Sequence, residues 1–294
     1  MIYEVEIRNN NYSISIKMPI NHISIANVLM NILRILIGGV VLLLTVHAHA
    51  TGLELRLDQV RKDIGSNAVK IKVMEPHMKC GEVNCTVTYV GIPLVKLMQY
   101  YFPGTWEGFN GFIHFYASDG YLASVNANKA RKQDAYLTFE RADGKPFMID
   151  NERQNERDLP LGPFYLVWDN LFNEDLQKQG AYGWPYKVVS IELLPASAYD
   201  KLLSADATPA ARAGFDDWKT YCMNCHRIDG VGGMKNPVNL RQLVNGKSRD
   251  ELRAWINSPG SIRPGTTMPP LNVHLGKQER SQVIERIIDY LESL

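Results

Sequence analysis

Four cysteines in 294 residues leave little room for a metal cage. They fall in two pairs, Cys80 with Cys85 and Cys222 with Cys225, and no further Cys or His pair of suitable spacing follows the second. Half of a zinc site would therefore lack its other half. An excess of charge is missing too. Lys and Arg number 32 against 31 Asp and Glu, with no long run of one sign, so nucleic acid finds no electrostatic footprint and is not expected as a partner. Internal repeats and low-complexity tracts are absent, which excludes a solenoid. The apolar run Ile35 to Val46 is about a dozen residues, short of a bilayer span.

What the chain does have is Cys222-Met223-Asn224-Cys225-His226, the Cys-x-x-Cys-His spacing of a covalently attached haem. One turn of helix presents both sulfurs and the imidazole to one haem edge and face. The thiols can add across two vinyl groups while the histidine becomes an axial iron ligand. Downstream, Thr266-Thr267-Met268-Pro269-Pro270 holds a methionine in a stiff loop, poorly placed for a core helix. A thioether is the second axial ligand of His/Met haems, where it raises the reduction potential. Gly214 and Trp218 stand eight and four residues before Cys222, on one face of a helix. Gly276 to Leu294 reads as an amphipathic helix carrying Val283, Ile284, Ile287, Ile288, Tyr290 and Leu291.

In this order, the stretch from about Thr208 to Leu294 resembles class I cytochrome c. The resemblance implies an all-α domain with one covalent haem c on Cys222 and Cys225, His226 as proximal ligand and Met268 as distal ligand. It further implies Gly214, Trp218 and Tyr290 in the haem environment, and a Pro237 carbonyl set against the proximal histidine. Such a haem is added outside the bacterial cytoplasm, so an export signal is required. Met30 to Arg34 is a short basic start, Ile35 to Val46 an apolar run, and Ala48-His49-Ala50 a cleavage site before Thr51. We expect a Sec-type signal peptide at 30–50 and a periplasmic location, with membrane anchoring only if the leader stays uncleaved. Residues 1–29, with Asn9-Asn10-Asn11 and alternating Ile14 and Ile16, read as a non-native upstream extension, with Met30 as the true start.

Between Thr51 and about Ala198 the texture changes. Leu53 to Leu57, Ala68 to Val73 and Thr86 to Val90 alternate apolar and polar residues, the period of half-buried strands. Asp119-Gly120 between two such runs predicts a hairpin, and Asp143-Gly144 a second one. Gly91-Ile92-Pro93-Leu94, Ser118 to Tyr121, Gly162 to Val167 and Tyr186 to Leu193 together resemble the molybdopterin-binding domain of sulfite-oxidase-type enzymes. That family binds molybdenum through a cysteine. Here Cys80 and Cys85 do not sit in a matching stretch, and the leader has the single Arg34 rather than a twin pair. We therefore expect a fold relative without molybdopterin. Cys80 and Cys85, five apart, are expected to form a local disulfide. The alternative is a copper site with Met74, His77 and Met78. His114 is expected to be a packed core residue.

These features predict an α+β two-domain protein: a β-rich sulfite-oxidase-like domain at 51–200, a linker at 201–213, and an all-α cytochrome c domain at 208–294. The expected function is non-enzymatic. It is a periplasmic electron carrier that moves single electrons from a dehydrogenase donor to an oxidase or other acceptor, with the β-rich domain docking the partner. The alternative is a haem-linked oxidoreductase, sulfite-dehydrogenase-like or copper-dependent, whose N-terminal domain is catalytic.

Overall fold

A computed structural model describes residues 2–9, 12–19 and 52–294, and the expected leader at 30–50 lies outside the described residues. The chain separates into two units, Met1–His49 and Ala50–Leu294. In the first, β1 (Ile2–Asn9) and β2 (Tyr12–Pro19) pair antiparallel, with Ile2 opposite Pro19 and Asn9 opposite Tyr12. Among the described residues no helix is long and apolar enough to cross a membrane.

The second unit begins with β3 (Gly52–Glu54), α1 (Leu57–Ile64), β4 (Val69–Cys80) and β5 (Val83–Pro93). Next come α2 (Leu94–Tyr101), β6 (Gly111–Ala117), β7 (Leu122–Asn126), α3 (Ala127–Lys132) and β8 (Ala135–Arg141). The series ends with β9 (Met148–Asn151), β10 (Glu156–Pro160), β11 (Tyr165–Trp168), α4 (Glu174–Gln179) and β12 (Val188–Pro195). Alternation builds two antiparallel four-stranded sheets, in the orders β11-β8-β5-β4 and β3-β12-β6-β7. Ile71 and Val73 of β4, Val87 and Tyr89 of β5, and Ile113 and Phe115 of β6 all turn inward onto one core, with Trp106, Trp168 and Trp184. The Asp119-Gly120 turn closes β6 onto β7, with Gly120 at φ +86°. At Asp143-Gly144 the chain also turns, but the strands it joins do not pair. Both edges of β8 are already taken by β5 and β11, so β9 pairs with β10 instead.

Inside this core Glu75 is fully buried. Its carboxylate lies 2.7 Å from His77 Nδ1 and accepts hydrogen bonds from the hydroxyls of Tyr89 at 2.8 Å and Tyr165 at 3.0 Å. Burial alone would raise its pKa; the hydrogen bonds from His77 and Tyr89 pull it below the usual carboxylate range instead. His77 is thereby held by a carboxylate, and Cys80 and Cys85 are joined as a disulfide across the β4–β5 turn. In that state their sulfurs are bonded to each other.

The C-terminal region contains α5 (Pro209–Tyr221), α6 (Leu240–Val244), α7 (Arg249–Asn257), α8 (Pro259–Ile262) and α9 (Lys277–Glu292). Thr208 caps α5 by accepting from the Ala211 N–H at 3.1 Å, with Pro209 at the first helical position. Gly214 sits where α5 crosses α9. A Cβ there would run into the Arg286 carbonyl oxygen and stand 3.0 Å from Tyr290 Cβ. Phe215, Trp218 and Tyr290 cluster beside it, with ring centroids 5.2 to 6.1 Å apart. Arg249 bridges to Glu285 and Asp289 at 3.0 and 2.9 Å, tying α7 to α9.

The expectation of an all-α C-terminal region is corrected by two further strands, β13 (Arg227–Ile228) and β14 (Val231–Gly232), which pair antiparallel. Asp229 and Gly230 both take positive φ, 48° and 85°, which closes a two-residue hairpin directly after the Cys-x-x-Cys-His turn. Arg227 also forms a parallel bridge with Asn239. Residues 50–294 form one compact unit. Contacts at and just before the expected linker join its sheets to its helices. Tyr199 and Leu202 are buried in the helical core, and Phe112 of β6 packs against that core. The Tyr199 hydroxyl bonds His114 of β6, and Ser124 of β7 at 2.7 Å. His114 is buried, which lowers its pKa to about 4.

Gly214→Ala should force α5 and α9 apart at a cost of about 1–3 kcal/mol. Thermal melting should show a drop of roughly 2–4 °C per kcal/mol for a unit of this size, and an unchanged midpoint would show that the crossing tolerates a Cβ.

Candidate haem attachment site

The last turn of α5 runs straight into the thiol-bearing segment. The N–H groups of Cys222 and Met223 both donate to the Trp218 carbonyl, at 2.8 and 2.9 Å. Those of Cys225 and His226 donate to the Cys222 carbonyl, at 3.2 and 3.0 Å. This one extra turn brings Cys222, Cys225 and His226 together. Met223 points into the helical core and is fully buried. The neighbouring Asn224 faces the sheets, donating from Nδ2 to the Tyr121 hydroxyl at 2.7 Å.

The segment after the hairpin lies flat against this turn. A Cβ at Gly232 would strike the His226 carbonyl oxygen, and one at Gly233 the Asn224 carbonyl oxygen. Gly232 also holds φ +118°, so only glycine fits it. The Gly233 N–H donates to the Met223 carbonyl at 2.7 Å and the Asn236 N–H to the Cys225 carbonyl at 2.9 Å. From the sheet side, the Leu122 N–H donates to the Asn224 carbonyl at 2.8 Å, and Gly120 accepts from the Met234 N–H at 2.6 Å. Lys235 Nζ reaches Gln154 Oε1 at 2.9 Å and lies 3.5 Å from both Asp119 and Glu156. The Asp119-Gly120 hairpin thus docks its tip on the thiol turn.

Cys222 and Cys225 are free thiols. Burial pushes each of them up to about 12, so both stay protonated at neutral pH. Tyr182, in the loop after α4, meets the Tyr221 ring edge-on at 4.9 Å. Its phenol is raised first by burial and then by the two cysteines. Burial lowers the pKa of His226, which keeps the imidazole neutral. His226 Nδ1 is buried with no hydrogen-bond partner, so the pairing expected with the Pro237 carbonyl is not made here. Met268 follows α8 on the loop at 263–276, half-buried, with its N–H donating to Thr266 Oγ1 at 3.2 Å. The helices hold that loop at Leu271, which donates to the Ile256 carbonyl at 3.0 Å and accepts from Arg280 Nε at 2.8 Å.

These residues fit a covalently held haem. Two free thiols and a neutral imidazole share one turn, and Nδ1 of that imidazole has no hydrogen-bond partner. Among the described residues no cluster of three or more His, Cys, Asp or Glu could hold a bare metal ion. Sequence reasoning missed Tyr121, Tyr182, Asn224 and Lys235. Asn224 occupies a spacer position of the motif, and a hairpin signal at Asp119-Gly120 says nothing about where its tip docks.

No family model matches the chain. One stretch of 68 residues is 34% identical to a cytochrome c55X from Stutzerimonas stutzeri, covering 23% of this chain and 57% of that relative. The chain thus spans little more than half of the relative's length. The likeness is partial and distant; it suggests a cytochrome c domain and points to a cytochrome-type electron carrier with haem c.

In the haem-free chain, the rise of the thiol pKa from 9.0 to about 12 predicts a thiolate fraction at pH 8 lowered about a thousandfold on folding. Iodoacetamide should therefore label Cys222 and Cys225 slowly in the folded chain and rapidly in urea. Stability should fall as pH rises from 9 towards 12, where only the unfolded chain gives up these protons. Equal labelling rates in both states would show that the thiols are not buried.

Proposed function

We propose that this chain is a periplasmic c-type cytochrome that carries one haem on Cys222 and Cys225 and passes single electrons between partner proteins. His226 and Met268 would hold its iron. The observation that carries this is the single turn that brings two free thiols to a half-buried, neutral imidazole, in the spacing of covalent haem attachment. The partial likeness to cytochrome c55X supports it.

When bound, the haem supplies one-electron chemistry between iron(II) and iron(III). The chain's own residues do the rest. Cys222 and Cys225 anchor the group covalently, and His226 is kept unprotonated by burial so that it has a lone pair to offer. Met268 brings a soft thioether, which favours the reduced iron and raises the potential. With His226 and Met268 both engaged in holding the haem, the site would exchange electrons rather than atoms. The donor is a dehydrogenase and the acceptor an oxidase or similar redox protein. The catalytic alternative would use Cys80 or Cys85 as a metal ligand, and these are engaged with each other.

The test is an alkaline pyridine spectrum of protein produced in the periplasm, with haem counted per chain. One covalent haem is expected, lost from the Cys222→Ala/Cys225→Ala double variant. Met268→Ala should lower the midpoint potential by on the order of 0.1 V, a fraction of the roughly 0.8 V over which axial ligands tune haem. Wild-type protein without covalent haem would sink the proposal.

A further inference from the structure

The Met268 loop is fourteen residues without regular structure, between α8 and α9. Loops of that length are ordinarily among the more mobile parts of a fold. This one is fastened on both sides of Met268 by residues from outside the helical region. On the near side, Asn155 Nδ2 donates to the Thr266 carbonyl at 2.8 Å. Asn155 ends the 3-10 turn Glu152–Gln154 in the left-handed conformation at φ 55°, which asparagine tolerates better than most residues. On the far side, Arg153 Nη2 from the same turn lies 2.9 Å from His274 Nε2.

Asn272 makes the third attachment. It is 2% exposed, and its Nδ2 donates to the Lys178 carbonyl at 2.9 Å, at the C-terminal end of α4. Its Oδ1 accepts the His274 N–H at 3.0 Å. Gly180, just beyond α4, lets His274 come close, since a Cβ there would stand 2.8 Å from His274 Cδ2. Thr266 is thus held two residues before Met268, and Asn272 and His274 four and six residues after it.

We propose that Arg153, Asn155 and Asn272 are positioning residues for the distal ligand, so that the sheet-bearing part of the chain sets how tightly Met268 stays on the iron. This rests on the reading of Met268 as an axial ligand. The sheets then act on the haem by restraining a loop, in addition to any docking of partners. Losing one such hydrogen bond shifts the loop's opening equilibrium about fivefold.

The test uses ferric holoprotein and imidazole as the probe, following replacement of the methionine by absorbance. Asn155→Gly removes the side-chain bond while keeping the left-handed backbone, and Arg153→Gln removes the guanidinium. Each should speed the limiting rate of imidazole entry about fivefold and lower the midpoint potential, with the melting temperature down by only roughly 2–4 °C. Asn272→Asp, which keeps the acceptor and loses the donor, should do the same if it folds; the other two variants decide the matter if it does not. Met268→Ala is run alongside. If it takes up imidazole no faster than wild type, Met268 is not the displaced ligand and the reading beneath fails. If it is fast while Asn155→Gly and Arg153→Gln match wild type, the positioning role alone is overturned.

Discussion

Two backbone hydrogen bonds hold the arrangement together: Leu122 N–H to the Asn224 carbonyl, and Met234 N–H to the Gly120 carbonyl. They splice the tip of a sheet hairpin onto the turn that bears the thiols. Neither depends on side-chain identity, but both need a close approach that only small residues permit. Gly120, at φ +86°, and Gly233, flat on Asn224, supply it. Around this seam, Lys235 is surrounded by acceptors from the sheet side, and Tyr121 satisfies the Asn224 amide. Without the seam, the thiol turn would be the exposed end of a helix. With it, the turn becomes interior.

Local chemistry was legible in the sequence because its signals are local. The Cys-x-x-Cys-His spacing, and Gly214 with Trp218 on one helix and Tyr290 on another, lie within helices whose periodicity declares them, though that those helices cross at Gly214 is seen only in the fold. Alternation gave the main strands, and the Asp119-Gly120 turn came out as expected. What escaped was set by partners distant in sequence. His114 and Tyr199 are 85 residues apart, and their bond ties β6 to the segment just before the expected linker, which packs in the helical core. Asn272 meets the end of α4 across 94 residues. β8 was not free to pair with β9 because β5 and β11 already flank it. The Asp229-Gly230 hairpin is the exception. Its signal was as local as any, but it fell inside a region whose helices drew the eye, and an all-α expectation overrode it.

The same contrast runs through the energetics. Glu75 lies in a nearly dry core, where an unpartnered carboxylate would cost several kcal/mol, yet His77, Tyr89 and Tyr165 leave it well satisfied. His226 Nδ1, by contrast, is left with nothing. Buried polar atoms without partners are uncommon in folded proteins. Among the described residues this nitrogen is one of six buried side-chain atoms without a hydrogen-bond partner, and on the haem reading it falls on the proximal ligand.

The burial of Cys222 and Cys225 has a consequence for biogenesis. In the finished fold the thiols are half-buried and each holds its proton, so they are poor nucleophiles towards a haem vinyl group. On the haem reading, attachment is favoured while the chain is still open, before the hairpin tip docks on the turn. The order of maturation would then be fixed by geometry: export, thioether formation, and only afterwards closure of the sheets over the site. On that reading, a chain that folded first would offer the haem only protonated, half-buried thiols.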